Sequence, residues 1–519
     1  MNDSYDLVPY RSGSHHQSHP DNLATIAWLA GLEPAPPERC RVLELGCATG
    51  GNVIAMAFEL PSSAFTGIDL SAVQIEKARG EAAALGLANA DFRVMSIADA
   101  AGALGPFDYI VCHGVFSWVE PAVQEAIFDV CRDHLAPHGV AYVSYNTFPG
   151  WYQRRAVREM LRFHTQAAAD PLERVSRAHA LADFFADCAA DAPEPHAAYL
   201  RTARDLLESH RDDPSYVLHE YLAETNEPLF FHEFAARAAA HGLSCLGDAE
   251  PHETELDNLG MAAAERLRAM TADPIEQQQT LDFLVNRTFR RTLLCHAEAR
   301  RDSGVRIERV RALHAASACT PESSAPDLRA AVVEHFTTER GKAFSSGHPI
   351  AKATLVALRA AWPRALRYDA LLACVAERLR GAGVPDDPEP VLADLLDSFY
   401  RNGVATLHTA PPRCTNVVSR FPCASALARR QAAQGVLVTN QRRWALKLDD
   451  AMARFLLTLL DGTHDRAALA RLLDREASAG RLSIAAGDDA VDPRRIAAVL
   501  DAVLEHHLRK MAHLALLVG

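Results

Sequence analysis

His113 lies in the stretch CHGVFSWVE, residues 112–120, directly after the apolar run YIVC. A histidine, two aromatic rings and an acid in that position form either the wall of a reaction centre or a strand end with its core anchor. The neighbouring motifs decide between the two. Upstream, residues 44–52 read ELGCATGGN and residues 67–70 read GIDL. Gly46 and Gly50 lack a Cβ, so the backbone can turn tightly there and approach a ligand. Asp69 ends the next apolar run, where a carboxylate can accept both hydroxyl hydrogens of a ribose. A pyrophosphate-binding loop requires G-x-G-x-x-G at the helix start, and the spacing here is different. Glu44, just before the first glycine, also disfavours a diphosphate. It favours a cation such as a sulfonium or an amino-acid ammonium. Nicotinamide or flavin chemistry is therefore the weaker reading of this loop.

These residues need a scaffold that gathers strand ends. RVLEL (41–45) reads as a buried strand, followed by a helix that Pro61 ends. AFTGIDL (64–70) is a second strand, and Ser71 is the N-cap of the helix after it. DFRVMSI and FDYIVCHGVF supply the third and fourth strands. A helix over 121–135, a turn at Pro137-His138-Gly139 and the strand VAYVSYN complete the pattern. Strands and helices alternating at this spacing predict an α/β, doubly wound parallel sheet. Ligands in such sheets bind beyond the carboxyl ends of the strands. Glu44 to Gly50, Asp69 and Leu70, Ser96 and Ile97, Cys112 and His113, and Tyr145 and Asn146 all fall there.

VLELGCATGGN, GIDLS and this strand order resemble the class I S-adenosylmethionine-dependent methyltransferases. YDLVPY, SHPDNLATIAWLAGL, CHGVFSWV and SYNTFPGW are similar to the members that carry a regulatory domain. TLDFLVNRTFRRTLLCH (280–296) resembles the signature of that domain, and PCASALARRQAAQGVLVTNQRRWALKL (422–448) resembles their C-terminal domain. Bacterial, rickettsial-type protein-lysine methyltransferases of outer-membrane proteins belong to this group. The resemblance implies a Rossmann-like core, S-adenosyl-L-methionine as cofactor and S-adenosyl-L-homocysteine as product. It also implies a protein substrate, methylated on a side-chain amine such as lysine. Carried over to this chain, Gly46, Ala48 and Gly50 line the methionine and ribose, in a loop that includes Glu44, Cys47 and Asn52. Asp69 holds the ribose hydroxyls with Leu70 beside it, and Ile97 packs on adenine with Ser96 nearby. Many members have an aspartate where Ser96 stands, so either Asp99 or backbone groups take that role. Ala48 replaces a usual glycine and narrows the loop.

Methyl transfer from a sulfonium is an in-line substitution that needs a positioned acceptor and little water. A lysine titrates near 10.4 and must lose a proton first. Candidates for the acceptor side are His113, Trp118, Tyr145 and Asn146, with Tyr5 and Tyr10 if the N-terminal segment folds over the cofactor. His113 takes a proton, orients the acceptor or makes a structural hydrogen bond. Trp118 either lines the pocket through cation–π contact or anchors the core. Simple packing is the alternative for Tyr145. CHGV is not the Asn/Asp-Pro-Pro-aromatic motif of amide- and adenine-nitrogen methyltransferases, which disfavours those acceptors. No metal-ligand spacing occurs. Arg154, Arg155, Arg158 and Arg162 form a basic stripe that meets either an acidic substrate or acids of the next domain.

With 519 residues the chain exceeds one ordinary core. The reading is a methyltransferase core with an N-terminal lid segment (1–165), a helical cap or regulatory domain (166–316), a winged-helix-like domain (328–410) and a C-terminal helical or winged-helix-like domain (411–519). Within the cap, 280–296 reads as helix, and SACTPESSAPDL (317–328) reads as a linker. The 66 acids against 53 basic residues give a net charge of −13, which argues against a nucleic-acid partner. The patch RRQAAQ and NQRR near 429–443 is the exception. Eleven cysteines without a CxxC pair suit buried thiols in a reducing cytoplasm. The first twenty residues hold no apolar signal core, and the apolar runs are too interrupted to span a bilayer. A small-molecule, lipid or RNA methyltransferase and a non-catalytic cofactor-binding protein are the alternatives. Oligomeric state is not readable.

Overall fold

The computed structural model describes residues 8, 12–100, 102–299, 306–482 and 493–518. Tyr5, Tyr10 and the acidic stretch 485–492 lie outside the described residues. Helix α1 (Pro20–Leu29) precedes β1 (Arg41–Leu45), which is buried from Val42 onward. Then come α2 (Gly51–Glu59), β2 (Ala64–Asp69) and α3 (Ala72–Ala84). The Ser71 hydroxyl accepts from the Gln74 amide, so α3 starts where the sequence predicts. β3 (Ala90–Val94), β4 (Phe107–Cys112), α4 (Pro121–His134), β5 (Leu135–Asn146) and α5 (Trp151–Thr165) follow. Residues 137–139, expected as a turn, continue in β5, where the pairing with β4 shifts register near Phe107.

The sheet has seven strands in the order β3-β2-β1-β4-β5-β7-β6, with β6 at Leu243–Asp248 and β7 at Phe289–His296. β1 to β5 are parallel, and β7 runs antiparallel to both its neighbours. Side chains alternate between two cores, as a pleated strand requires. Val42, Phe65, Tyr109 and Tyr142 share one with α1, α2 and α3. Leu43, Ile68, Ile110 and Val143 share the other with Phe128 and Val130 of α4. Each such fully buried side chain contributes roughly 1.5–3 kcal/mol.

Two expectations are corrected here. Residues 280–296 are not one helix. A helix spans Pro274–Val285 and stops at Asn286 in the left-handed region (φ 49°), and β7 begins at Phe289. The run Thr292 to Cys295 is buried continuously, and a continuous apolar run cannot be told from a buried helix by period. In consequence the core does not close at residue 165, because two of its seven strands come from within 166–316.

Between them lies a helical layer: α5, Pro171–Cys188, His196–Glu208, and a short helix Pro214–Tyr216 that widens into a π-turn, Val217–Tyr221. Val157, Leu161, Val175, Leu207 and Leu218 form its core. The expected linker 317–328 carries the short strand Thr320–Pro321, paired with Glu334–Thr337. Helices Pro349–Ala361, Tyr368–Gly381 and Leu392–Arg401 pack with a small sheet in which His314–Ala316 pairs with Leu366–Arg367 and Thr406–His408. The last unit contains helices Ala426–Gln434, Ala451–Leu459, Arg466–Ser478 and Pro493–His513 and the hairpin Leu437–Thr439/Ala445–Lys447.

One buried ionic cluster ties these units to the core. Arg443 of the last unit reaches Asp21 of α1 at 2.5 Å and both oxygens of Glu59 at the end of α2. Asp21 also accepts from the Ala410 amide (2.7 Å) and pairs with His408 (2.7 Å). Burial alone would raise both carboxyls. Arg443 outweighs it, holding Asp21 far below its ordinary range and Glu59 at about 2.

Candidate functional site

The strand order reverses between β1 and β4, which opens a crevice beyond their carboxyl ends. The turn after β1 fills one side. Gly46 and Cys47 amides both donate to Ile68 O, at 2.9 and 3.0 Å. Gly46 has φ +70°, and a Cβ there would sit 2.5 Å from Val115, in the loop after β4. Ala48 is left-handed as well (φ 48°), and its amide donates to Asp69 Oδ2 at 2.9 Å. Asp69 Oδ1 accepts from Ser71 (2.9 Å). The carboxylate of Asp69 is thus locked at the rim by two backbone donors, with lone pairs left for a diol. Gly50 packs against Ala78 and Phe92 so closely that a side chain would collide with both.

A diphosphate is disfavoured on structural grounds too. The first amide of α2, Gly51, is taken by the Ser12 hydroxyl at 2.9 Å. The helix N-terminus that would bind an anion is therefore covered by the chain itself.

Glu44 lies buried under the turn. Oε1 accepts from Asn52 (3.1 Å), and Oε2 has no partner among the described residues. Burial, reinforced by Asp69, pushes this carboxyl up to about 8 against the pull of Asn52. A buried acid lacking a cation suits a ligand that brings one. Leu70 is 71 % exposed beside Asp69, and Ile97 is half-buried. The two offer apolar cover for a flat ring. These features fit an adenosyl group carrying a cationic amino-acid tail.

Not every candidate faces that crevice. Both amide hydrogens of Asn52 go to protein oxygens, Glu44 and Ser18, and its oxygen accepts from the His15 amide. Its work is to hold Glu44 and the N-terminal segment. The Cys47 thiol points inward against Gly67, and burial pushes its pKa up, so only its backbone is available to a ligand. Ser96 Oγ accepts from the Ala98 amide and caps the short helix Ile97–Asp99, while Asp99 is exposed. Tyr145 is 1 % exposed, stacked on Phe234 at 4.2 Å and hydrogen-bonded to Thr292. The packing reading of Tyr145 is the correct one, because it points to the face of the sheet opposite Tyr142.

His113 does stand at the crevice. Its Nδ1 is 2.8 Å from the Tyr142 hydroxyl, and its ring stacks on His15 at 3.7 Å. Burial, with His15 and Arg291 adding to it, pushes its pKa well below the usual histidine range, so the imidazole is neutral. Trp118 is half-buried, edge-on to Trp151 (6.1 Å) with the Arg158 guanidinium over its ring (5.8 Å). Asn146 is buried, its amide nitrogen unpartnered among the described residues. Sequence reasoning missed His15 and Tyr142, while the arginines of 287–291, read as clamps between cap and core, include Arg291, which pairs with Glu250 and Glu253. Only SHHQSH in the N-terminal segment hinted at the first, and nothing local marks the second. A group with metal-ligand geometry, Glu250, His252 and Glu253, is crossed by arginines instead: Arg340 on Glu250 and Arg291 on Glu253.

A sheet of this order with a cation-favouring turn at its switch point defines the class I methyltransferase fold. Comparison with known proteins narrows the class. Three family models match: a methyltransferase domain over residues 42–139, a predicted methyltransferase regulatory domain over 213–296, and the PKMT C-terminal winged helix domain over 421–516. The structure of PKMT2 from Rickettsia typhi in complex with AdoHcy superposes with a TM-score of 0.88 at 30% identity, covering 98% of this chain and 100% of that one. Among curated relatives, the uncharacterized proteins RP789 and RP028 of Rickettsia prowazekii are 40% and 39% identical over 292 and 235 residues. Those matches cover 56% and 45% of this chain, and 52% and 93% of the relatives. The chain thus spans about half the length of RP789. The chain belongs to the PKMT family of class I S-adenosylmethionine-dependent methyltransferases, with a regulatory domain and a C-terminal winged-helix domain.

Proposed function

We propose that this protein transfers a methyl group from S-adenosylmethionine to the side-chain amine of a lysine in a protein substrate. The observation that carries the reading is the full-length match to PKMT2, joined to a crevice whose free groups suit an adenosyl sulfonium. Gly46, Ala48 and Asp69 would hold the ribose and methionine, Leu70 and Ile97 the adenine, and Glu44 the cationic end. When bound, the cofactor supplies a methyl carbon already activated by positive sulfur.

The chain's own residues have two remaining tasks. His113 is neutral and fixed by Tyr142, so it orients an acceptor by hydrogen bonding; its basicity is too low to store a proton at neutral pH. The helical layer over the strand ends excludes water from the transfer. We place the protein in a reducing cytoplasm, where most of its eleven cysteines would be buried thiols. No helix among the described residues is long and apolar enough to cross a membrane.

Incubation with methyl-labelled cofactor and lysate, followed by peptide mapping, tests the reading. Label on lysine is expected. Label confined to lipid, RNA or small molecules, or none at all, would overturn it.

A further inference from the structure

His15 sits in the run SGSHHQSH, residues 12–19, and its backbone is tied to the cofactor turn. Its amide donates to Asn52 Oδ1 at 2.9 Å, and Asn52 Nδ2 donates to Glu44 Oε1 and to Ser18 Oγ. Ser18 Oγ donates back to His15 O at 2.9 Å. The side chain is held differently. Neither ring nitrogen bonds to a described residue, so the ring is placed by its stack on His113, with centroids 3.7 Å and planes 28° apart. His113 in turn is gripped from β5 by the Tyr142 hydroxyl on Nδ1 (2.8 Å) and from β7 by Phe289, edge-on at 6.4 Å. Its Nε2 has no partner among the described residues and is left for a methyl acceptor.

His15 also lines a chamber of about 420 Å³ between α2 and the last unit. Ser14 and Asn52 line it too, together with Arg413, Arg429 and Arg443. Arg443 is bound to Asp21 and Glu59, but Arg413 and Arg429 pair with no acid among the described residues. A polar chamber of this size holds water. Neither His113 nor Glu44 lines it. Each stands behind a residue that does: His113 behind the His15 ring, and Glu44 behind the Asn52 amide. His15 and Asn52 are therefore a partition between a hydrated chamber and the crevice where the methyl group moves.

We propose that His15 is a positioning residue of the transfer: its ring fixes the plane of His113 and, with Asn52, keeps the water of the arginine-lined chamber from the reacting atoms. The inference rests on methyl transfer to lysine at this crevice. Orientation of the acceptor and exclusion of water both depend on such a wall. The titratable groups that face His113 are His15 from the N-terminal segment, Tyr142 from β5 and Arg291 from β7. Arg291 is itself held by Glu250 and Glu253, at 3.3 and 3.0 Å. Burial, helped by His16 and Arg291, brings His15 down to about 4, so both stacked rings are neutral at pH 7. Removing the His15 ring would hydrate His113 and let its pKa return toward the ordinary value of about 6.5.

His15→Ala and His15→Phe test the proposal in the full-length protein. H15A keeps the backbone bond to Asn52, so its affinity for S-adenosylhomocysteine by calorimetry should match the wild type. On the protein lysine that the wild type labels, its kcat should fall roughly tenfold with the acceptor KM little changed. The deficit should deepen below about pH 6.5, where a hydrated His113 takes up a proton. H15F restores a flat ring and should recover most of kcat and the wild-type profile. A second readout needs no acceptor. In NMR titration of isotope-labelled histidine, His113 should stay neutral at about pH 6 in the wild type and H15F, and titrate near 6.5 in H15A. Wild-type kcat in H15A with His113 still neutral overturns the proposal. An H15F as impaired as H15A overturns it too, since a flat ring would then not be what counts. A loss of cofactor affinity in H15A would assign His15 to the fold of the cofactor turn instead. If the wild type labels no lysine, the proposed function falls, and the titration alone decides the role of His15.

Discussion

Glu44 and His113 are buried titratable groups whose shifts have the same origin and opposite consequences. Burial makes Glu44 a better proton holder and His113 a worse one. Glu44 is mostly protonated at pH 7 and must ionise to pair with a cationic ligand. Binding of S-adenosylmethionine should therefore release protons, and affinity should tighten as pH rises through about 8. Calorimetry in buffers of different ionisation enthalpy measures the release directly. In E44Q the release should vanish. S-adenosylmethionine and S-adenosylhomocysteine should then both lose roughly tenfold in affinity, because both carry the amino-acid ammonium. For His113 the expected outcome is different in kind. His113→Asn keeps a polar group near Tyr142, so the rate should fall by roughly tenfold with the shape of the pH profile intact. A profile that shifts in H113N would mean that the histidine does carry the proton.

At the scale of elements, the donor side was legible in the sequence and the acceptor side was not. Gly46, Asp69 and Ser71 act through local backbone geometry, which a strand–turn–helix pattern encodes over a few residues. Leu70 and Ile97 follow from the same register. The residues grouped around His113 come from distant segments: His15, Tyr142 and Phe289 meet it only when the sheet and the N-terminal segment assemble. β7 escaped for a related reason, since burial of both its faces erased the alternation that would have marked it. The N-terminal segment is an element of this second kind, and Ser12 gives it a measurable handle. Ser12→Ala removes the acceptor from Gly51 and should cost about 1 kcal/mol at the start of α2. Hydrogen exchange at the Gly51 amide should quicken about fivefold, with the middle of β1 unaffected.

The whole molecule is held by a few buried charges whose partners are far apart in sequence. Arg443 neutralises Asp21 and Glu59 at once, so the last unit, α1 and the far end of α2 share a single cation. Replacing it with the similarly long but neutral methionine leaves two buried carboxylates uncompensated. Breaking such a cluster from one side costs about 3–5 kcal/mol. The pH dependence identifies the cause. Both carboxyls have folded pKa values below their unfolded ones, so the stability they contribute is present above about pH 4. It is lost as pH falls toward the folded values, about 2 for Glu59. Calorimetric unfolding should show R443M far below the wild type at pH 7. The gap should close progressively as pH falls from about 4 toward 2, as acid removes from the wild type what the substitution has already removed from the variant. A gap that stays constant with pH would assign the loss to packing around Arg443 and not to its charge.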